Sequence, residues 1–201
     1  RSMVSSITKI DSREVVLPPP AEKRSLLTNP DGSLVNIRNA TVKYTENTVF
    51  ENLDLRINPG SHWQIKGPNG SGKTTLLNLI NGDHPQSYVN NICVFGFRKG
   101  EGETIWEIKR NLGFVSNGLH WDHRISVSVI NVIVSGFFDT IGLYSNTSDL
   151  HYKLAYKWLE LLGLENERDQ RFTELSFGQQ RLILICRAMV KHPPLLLLDE
   201  P

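Results

Sequence analysis

The chain has 201 residues, with 22 lysines and arginines set against 21 aspartates and glutamates, a formal net charge of +1. That balance raises no global field to draw in nucleic acid, so an anionic ligand has to be held by a local site. The length suffices for one domain with a real core, and two cysteines are too few for a disulfide framework. Cys93 and Cys186 sit in apolar stretches, with no histidine or cysteine at a metal-ligand spacing, and read as buried thiols. No apolar run reaches the roughly 18 residues of a membrane span. The longest candidate, residues 130–138, is broken by polar residues and Gly136, so the chain is expected to be soluble. Neither a secretory nor a transit pattern opens it, which leaves the cytoplasm or an organelle matrix such as the mitochondrial one; the thiols ask only for a reducing space.

Residues 1–33 carry Pro18-Pro19-Pro20, scattered charge and the turn signal Asn29-Pro30-Asp31-Gly32, and read as an extended linker. The remainder, 34–201, reads as a binding domain. Alternating apolar residues at 34–37, 41–44, 49–50 and 53–57 predict short strands. Asn58-Pro59-Gly60 is a turn, and His62-Trp63-Gln64-Ile65-Lys66 predicts a strand running into Gly67-Pro68-Asn69-Gly70-Ser71-Gly72-Lys73-Thr74. A helix follows over 74–81. Further along come a strand over 92–97, a helix over 104–110, a strand over 112–115 and mostly helical spacing over 127–164 with Gly163 as its stop. A helix then runs from the Leu175-Ser176-Phe177-Gly178-Gln179 segment to about residue 190. His192-Pro193-Pro194 ends it, before the apolar strand 195–198. The architecture is thus α/β, with a helical insertion over about 125–190.

Gly67-x-x-x-x-Gly72-Lys73-Thr74 is a phosphate loop of the P-loop NTPase kind. Its small residues Gly67, Pro68, Asn69, Gly70, Ser71 and Gly72 let successive backbone N–H groups close on an anion at a helix N-terminus, whose dipole favours negative charge. Lys73 should reach the β- and γ-phosphates of ATP, Thr74 should ligate Mg²⁺, and Thr75 should support the α-phosphate side. Asp199 and Glu200 close an all-leucine strand. A buried strand delivering two carboxylates at its carboxyl end is the second half of such a site, Asp199 orienting Mg²⁺ and Glu200 polarising the attacking water as general base. The bland alternative is a strand end capped by two solvated acids.

Leu175-Ser176-Phe177-Gly178-Gln179-Gln180-Arg181, about 20 residues before Asp199-Glu200, resembles the signature motif of the ABC (ATP-binding cassette) ATPases, with Phe177 where that family usually has glycine. The resemblance implies an antiparallel β subdomain at the N-terminal side, a RecA-like sheet core and an inserted helical signature subdomain. It implies that Ser176, Gly178 and Gln179 meet the γ-phosphate of ATP held by a second cassette, in the same chain or a dimer. Ser176 is also placed to cap its helix, and capping and anion binding draw on the same free donors. Tyr44 falls where the family puts an aromatic that stacks on adenine; a strand aromatic packed in the core is the rival. Asn117 stands at the equivalent of the family's glutamine-loop residue, as a shorter oxygen donor toward Mg²⁺ or water, with His120 as another candidate. His120 and His123, beside Trp121 and Asp122, could pair on a metal, though loop histidines of this kind more often serve surface or packing roles.

The runs His62-Trp63-Gln64-Ile65, Gly82-Asp83-His84-Pro85-Gln86, Gly102-Glu103-Thr104-Ile105-Trp106 and Lys191-His192-Pro193 resemble the C-terminal cassette of ModF-like proteins. That group, named for molybdate transport and photorepair, carries two cassettes in one chain and no membrane domain. On this resemblance residues 1–33 are the linker from a first cassette, a membrane permease is a further partner option, and direct insertion into a membrane is not expected. The sequence stops just after the Walker B strand, whereas such cassettes continue with a loop crossing the dimer interface and a histidine that contacts the γ-phosphate. Turnover is therefore expected of the complete protein and nearly none of this stretch. An ATP-dependent switch with little turnover is the alternative, favoured by Phe177 and the replaced glutamine.

Overall fold

The computed structural model describes residues 16–23, 25–45, 47–102, 105–116, 127–140 and 147–199. Strands β1 (Val35–Tyr44) and β2 (Asn47–Ile57) form an antiparallel pair running from Val35 opposite Ile57 to Tyr44 opposite Asn47. The four short runs of the sequence pattern are two long strands. Their apparent breaks are irregularities of register between Ile37 and Ala40 and again up to Lys43, where Asn39 and Asn52 take positive φ. Side chains pick up the displaced backbone donors: Asn39 N–H donates to Asp54 Oδ1 at 2.7 Å and Asn52 N–H to Thr41 Oγ1 at 3.2 Å.

On the other edge of β1 lies β3 (Asn91–Val94), followed by β4 (Phe97–Arg98), giving the order β2-β1-β3-β4. The single strand predicted over 92–97 is thus a hairpin. Phe95 and Gly96, at φ 55° and 88°, make its two-residue turn, a conformation that costs phenylalanine more than glycine. Burial offsets that cost, since Phe95 is only 2% exposed. The end of the N-terminal segment is built into this turn. Asn29 accepts from Gly96 N–H at 2.8 Å and donates to Ser33 Oγ and to the Cys93 carbonyl.

A second sheet is parallel and two-stranded: β5 (Leu112–Val115) beside β6 (Leu195–Leu198), Leu112 opposite Leu195. The predicted strand at 62–66 is not one. No described strand pairs with it, and Trp63 and Ile65 are exposed. Helices α1 (Lys73–Asn81) and α2 (Ile105–Arg110) belong to the sheet side. The helical side has α3 (Val129–Ser135), α4 (Asp149–Leu162) and α5 (Phe177–Met189). Gly163 ends α4 in the left-handed conformation, the stop its position predicts.

Two apolar cores result. The first joins β1, β2 and β3 to α1 and takes Leu195 and Leu197 from β6. The second gathers α3, α4 and α5 and takes Val115 and, partly buried, Leu196. Because side chains alternate along a strand, the leucine run of β6 serves both cores at once, and its carboxyl end is held from two sides. Lys191, just after α5, is buried in this junction. Its ammonium donates to the Lys109 carbonyl at 2.6 Å and pairs with Asp139. Lys191→Ala is expected to lower the unfolding free energy by about 3 kcal/mol, measured by denaturant titration, the low end for a broken buried pair because Asp139 is partly exposed.

Cys186 lies inside the second core, and burial pushes its thiol up to about 12. At pH 8 iodoacetamide should leave it unlabelled in the folded protein and modify it after denaturation, as peptide mass mapping would show. Among the described residues no helix is long and apolar enough to cross a membrane.

Candidate nucleotide-binding site

Residues 67–72 form the loop and α1 begins at Lys73. Gly72 occupies the N-cap position at φ 89°, so no side chain caps this helix, and its first turn contains no acidic residue. The orphan N–H groups and the positive end of the dipole are left for an external anion. A side chain at Gly72 would have to enter space held by β2, with Val49 Cγ1 2.4 Å from a Cβ placed there and Phe50 at 3.4 Å. That contact requires glycine and shows that the β1–β2 hairpin lies against the loop. Lys73 Nζ donates to the carbonyls of Gly67 and Pro68, each at 2.9 Å. Its ammonium thus sits over the loop, held by two neutral acceptors that a polyphosphate outcompetes.

Thr74 donates its hydroxyl to the Asp199 carboxylate, 3.0 and 3.2 Å from the two oxygens. The pair is 125 residues apart in sequence and is assembled by β6, whose last residue precedes Asp199. Asp199 N–H donates to the Val115 carbonyl at 2.9 Å, so the parallel ladder with β5 aims the carboxylate. Asp199 is 7% exposed, which rules out the bland reading for this residue: it is no solvated cap. Thr75 is half-buried in the first turn of α1, next to Thr74 at the loop's end.

Ser176 is the N-cap of α5. Its hydroxyl donates to Gln179 Oε1 at 2.7 Å and accepts from Gln179 N–H at 3.4 Å, while Ser176 N–H donates to the same Oε1 at 3.0 Å. This is a reciprocal capping box, and the expected capping role is met in full. Phe177, exposed at the first turn, lies under the Arg181 guanidinium at 5.2 Å. Gly178 has open space around it. The Ser176 and Gln179 bonds just described join those two residues to each other and do not reach the chain's own phosphate loop.

Tyr44 is half exposed, which disfavours the core-aromatic alternative. Its hydroxyl is 2.6 Å from His84 Nε2. His84, Gln86 and Asn90 are residues the sequence reading left without a role. The run Gly82-Asp83-His84-Pro85-Gln86 was visible, but contacts made by irregular backbone leave no periodicity to read. Glu200, Asn117, His120, His123, Trp121 and Asp122 lie outside the described residues. Among the described residues no cluster of three or more histidines, cysteines or acids could hold a metal ion by itself. A cavity of ≈ 840 Å³, lined among others by Lys23, Ser25, Arg110, Phe138, His151 and Lys191, shares no residue with the loop.

Residues 50–201 match the ABC transporter family. The chain is 48% identical to the ABC transporter ATP-binding protein ModF of Escherichia coli over all of its own length and 42% of that protein's. An uncharacterized ABC transporter ATP-binding protein of Schizosaccharomyces pombe is 33% identical over 84% of this chain and 35% of that one. The chain therefore spans less than half the length of these relatives. A dimeric ATP-binding cassette solved in a post-hydrolysis state with ADP and phosphate superposes with a TM-score of 0.66 at 26% identity, covering 83% of this chain and 74% of that one. With the phosphate loop, the Thr74–Asp199 pair and the capped signature helix in place, the chain belongs to the ABC transporter family and is a ModF-like ATP-binding cassette.

Proposed function

We propose that this cassette binds Mg-ATP on residues 67–75 and, in the complete protein, hydrolyses it within a sandwich of two cassettes whose closure works on a partner. The observation that carries this is the hydrogen bond from Thr74 to a buried Asp199, set beside the uncapped start of α1. A hydroxyl and a carboxylate converging from distant parts of the chain form a hard-oxygen donor set, which suits Mg²⁺. Thr74 and Asp199 would hold the ion, with Asn117 as a further candidate donor. Mg²⁺, when bound, neutralises charge on the β- and γ-phosphates.

The chain's own residues supply the rest. Backbone N–H groups of the loop orient the phosphates, and Lys73 transfers its two hydrogen bonds from the Gly67 and Pro68 carbonyls to phosphate oxygens. Glu200, following Asp199, takes a proton from the attacking water as general base. Across the sandwich, the second cassette offers the Ser176-Phe177-Gly178-Gln179 helix start. For Ser176 to donate to a γ-phosphate, its hydroxyl has to leave Gln179 Oε1, while the two capping-box bonds, Gln179 N–H to Ser176 Oγ and Ser176 N–H to Gln179 Oε1, can stay in place.

The second cassette belongs to the same chain or to a dimer, and a membrane permease is the transport option for the coupled partner. A reducing compartment, cytoplasm or organelle matrix, suits the two free thiols. A switch with little turnover is a second reading, favoured by the aromatic Phe177 where a small residue would let a phosphate approach closely. Phosphate release by the full-length protein separates the two. Steady release that Glu200→Gln abolishes while ATP still binds supports hydrolysis; absent release from the unaltered protein supports the switch.

A further inference from the structure

After Arg38, which pairs with Asn91, β3 leaves the edge of β1, yet that edge stays hydrogen bonded. Asn90 Oδ1 accepts from Thr41 N–H at 2.8 Å and Asn90 Nδ2 donates to the Thr41 carbonyl at 3.1 Å. Two residues on, Gln86 Oε1 accepts from Lys43 N–H at 3.2 Å and Gln86 Nε2 donates to the Lys43 carbonyl at 2.8 Å. Two side-chain amides thus replace a neighbouring strand at alternate residues, the period at which one edge of a strand presents its polar groups. The next residue is Tyr44, the end of β1.

His84 completes the arrangement. It is 7% exposed and precedes the short 3₁₀ turn Pro85–Tyr88, where its Nδ1 accepts from Gln86 N–H at 3.1 Å. An accepting Nδ1 carries no proton, so the ring proton is on Nε2, and Nε2 donates to the Tyr44 hydroxyl at 2.6 Å. The two rings meet edge to face, 74° apart with centroids at 5.8 Å. One side of the tyrosine is held while half of the residue stays open. The β1–β2 hairpin lies against Gly72, and α1, which begins at Lys73, is capped at its far end by Gly82, two residues before His84. One helix therefore joins the phosphate loop at its start to the tyrosine's support at its end.

We infer that His84 is a positioning residue for nucleotide-base recognition, holding the Tyr44 ring ready to stack on the purine of ATP, with Gln86 and Asn90 fixing the strand end that carries it. This rests on the reading that Tyr44 stacks on the base. The ring enters binding with its rotamer already selected, so less side-chain entropy is lost when the purine arrives.

The test measures binding of Mg-ATP and, as a probe without a base, Mg-tripolyphosphate to the full-length protein. His84→Asn keeps an acceptor for Gln86 N–H and so preserves the turn while removing the bond to Tyr44. It is expected to weaken Mg-ATP about three- to tenfold and leave tripolyphosphate unchanged, the size of one lost hydrogen bond. Tyr44→Phe should give the same loss, and the double variant no more than either. Equal weakening of both ligands, or wild-type ATP binding by His84→Asn, overturns the inference. Tyr44→Ala distinguishes the two levels. If it leaves the ATP-to-tripolyphosphate ratio unchanged, the stacking reading fails and the inference with it; if it lowers the ratio while His84→Asn does not, only the role of His84 fails.

Discussion

Lys73→Ala is expected to lower ATP turnover by the full-length protein about 10²–10³-fold, the range for removing one preorganised charge stabiliser. Lys73 is a charged side chain held over the loop, and its two acceptors there, the Gly67 and Pro68 carbonyls, are neutral. Its ammonium costs little to redirect toward phosphate, and charge-assisted bonds exceed the ones it gives up. Arginine would not substitute well, since a planar fork cannot place a compact charge between the two phosphates. Single-turnover kinetics check this: the loss should fall on the chemical step as well as on ATP affinity. A variant retaining most of its turnover would remove Lys73 from the mechanism.

The second large effect falls on stability, at Gly136. A Cβ built there would lie 2.1 Å from the Arg187 carbonyl oxygen and 2.9 Å from Val190 Cγ1, so α3 and α5 meet closely only because that atom is missing. Backbone conformation is not the issue, since φ at Gly136 is −67°. Gly136→Ala should therefore destabilise by about 2–3 kcal/mol through overpacking. At roughly 2–4 °C per kcal/mol for a chain this size, that is a fall in Tm of about 5–10 °C in thermal denaturation. Gly178→Ala, which meets nothing within 4 Å and gains helix propensity, is the contrast and should not lower Tm. Because α5 carries Ser176 at its other end, Gly136→Ala should also disturb the signature helix more than its distance in sequence suggests.

The elements that sequence reading found cleanly are those where local chemistry and tertiary demand agree. The leucine run of β6, the Gly163 stop and the Ser176 cap each appear at their expected places, because strand burial, a left-handed stop and an N-cap are written in the residues themselves. The phosphate loop is legible for the same reason: its glycines answer steric limits that Val49 and Ser71 make visible. The strand predicted at 62–66 shows the limit. Its alternation is strand-like, but ladder bonds come from a neighbour, and none of the described strands pairs with it. The hairpin at Phe95-Gly96 was hidden because its first turn residue is aromatic rather than asparagine or glycine, and burial of the ring supplied what turn propensity did not.

Within the site, the Thr74–Asp199 contact could be expected from motif and strand together. The His84–Tyr44 contact could not. It depends on where an irregular segment returns to the end of β1, and hydrogen bonds from Gln86 and Asn90 to backbone leave no recurring spacing. The run from Gly82 to Gln86 has a specific physical role: it supplies an N-capping imidazole whose second nitrogen reaches the tyrosine.

The account turns on Mg-ATP being held jointly by the loop and by Asp199, and calorimetry on the full-length protein addresses it directly. ATP titrated with and without magnesium should bind the unaltered protein markedly more tightly when the ion is present, while Asp199→Asn should erase most of that difference and leave magnesium-free binding nearly unchanged. If Asp199→Asn responded to magnesium as the unaltered protein does, or if neither protein took up ATP, the joint site would be contradicted.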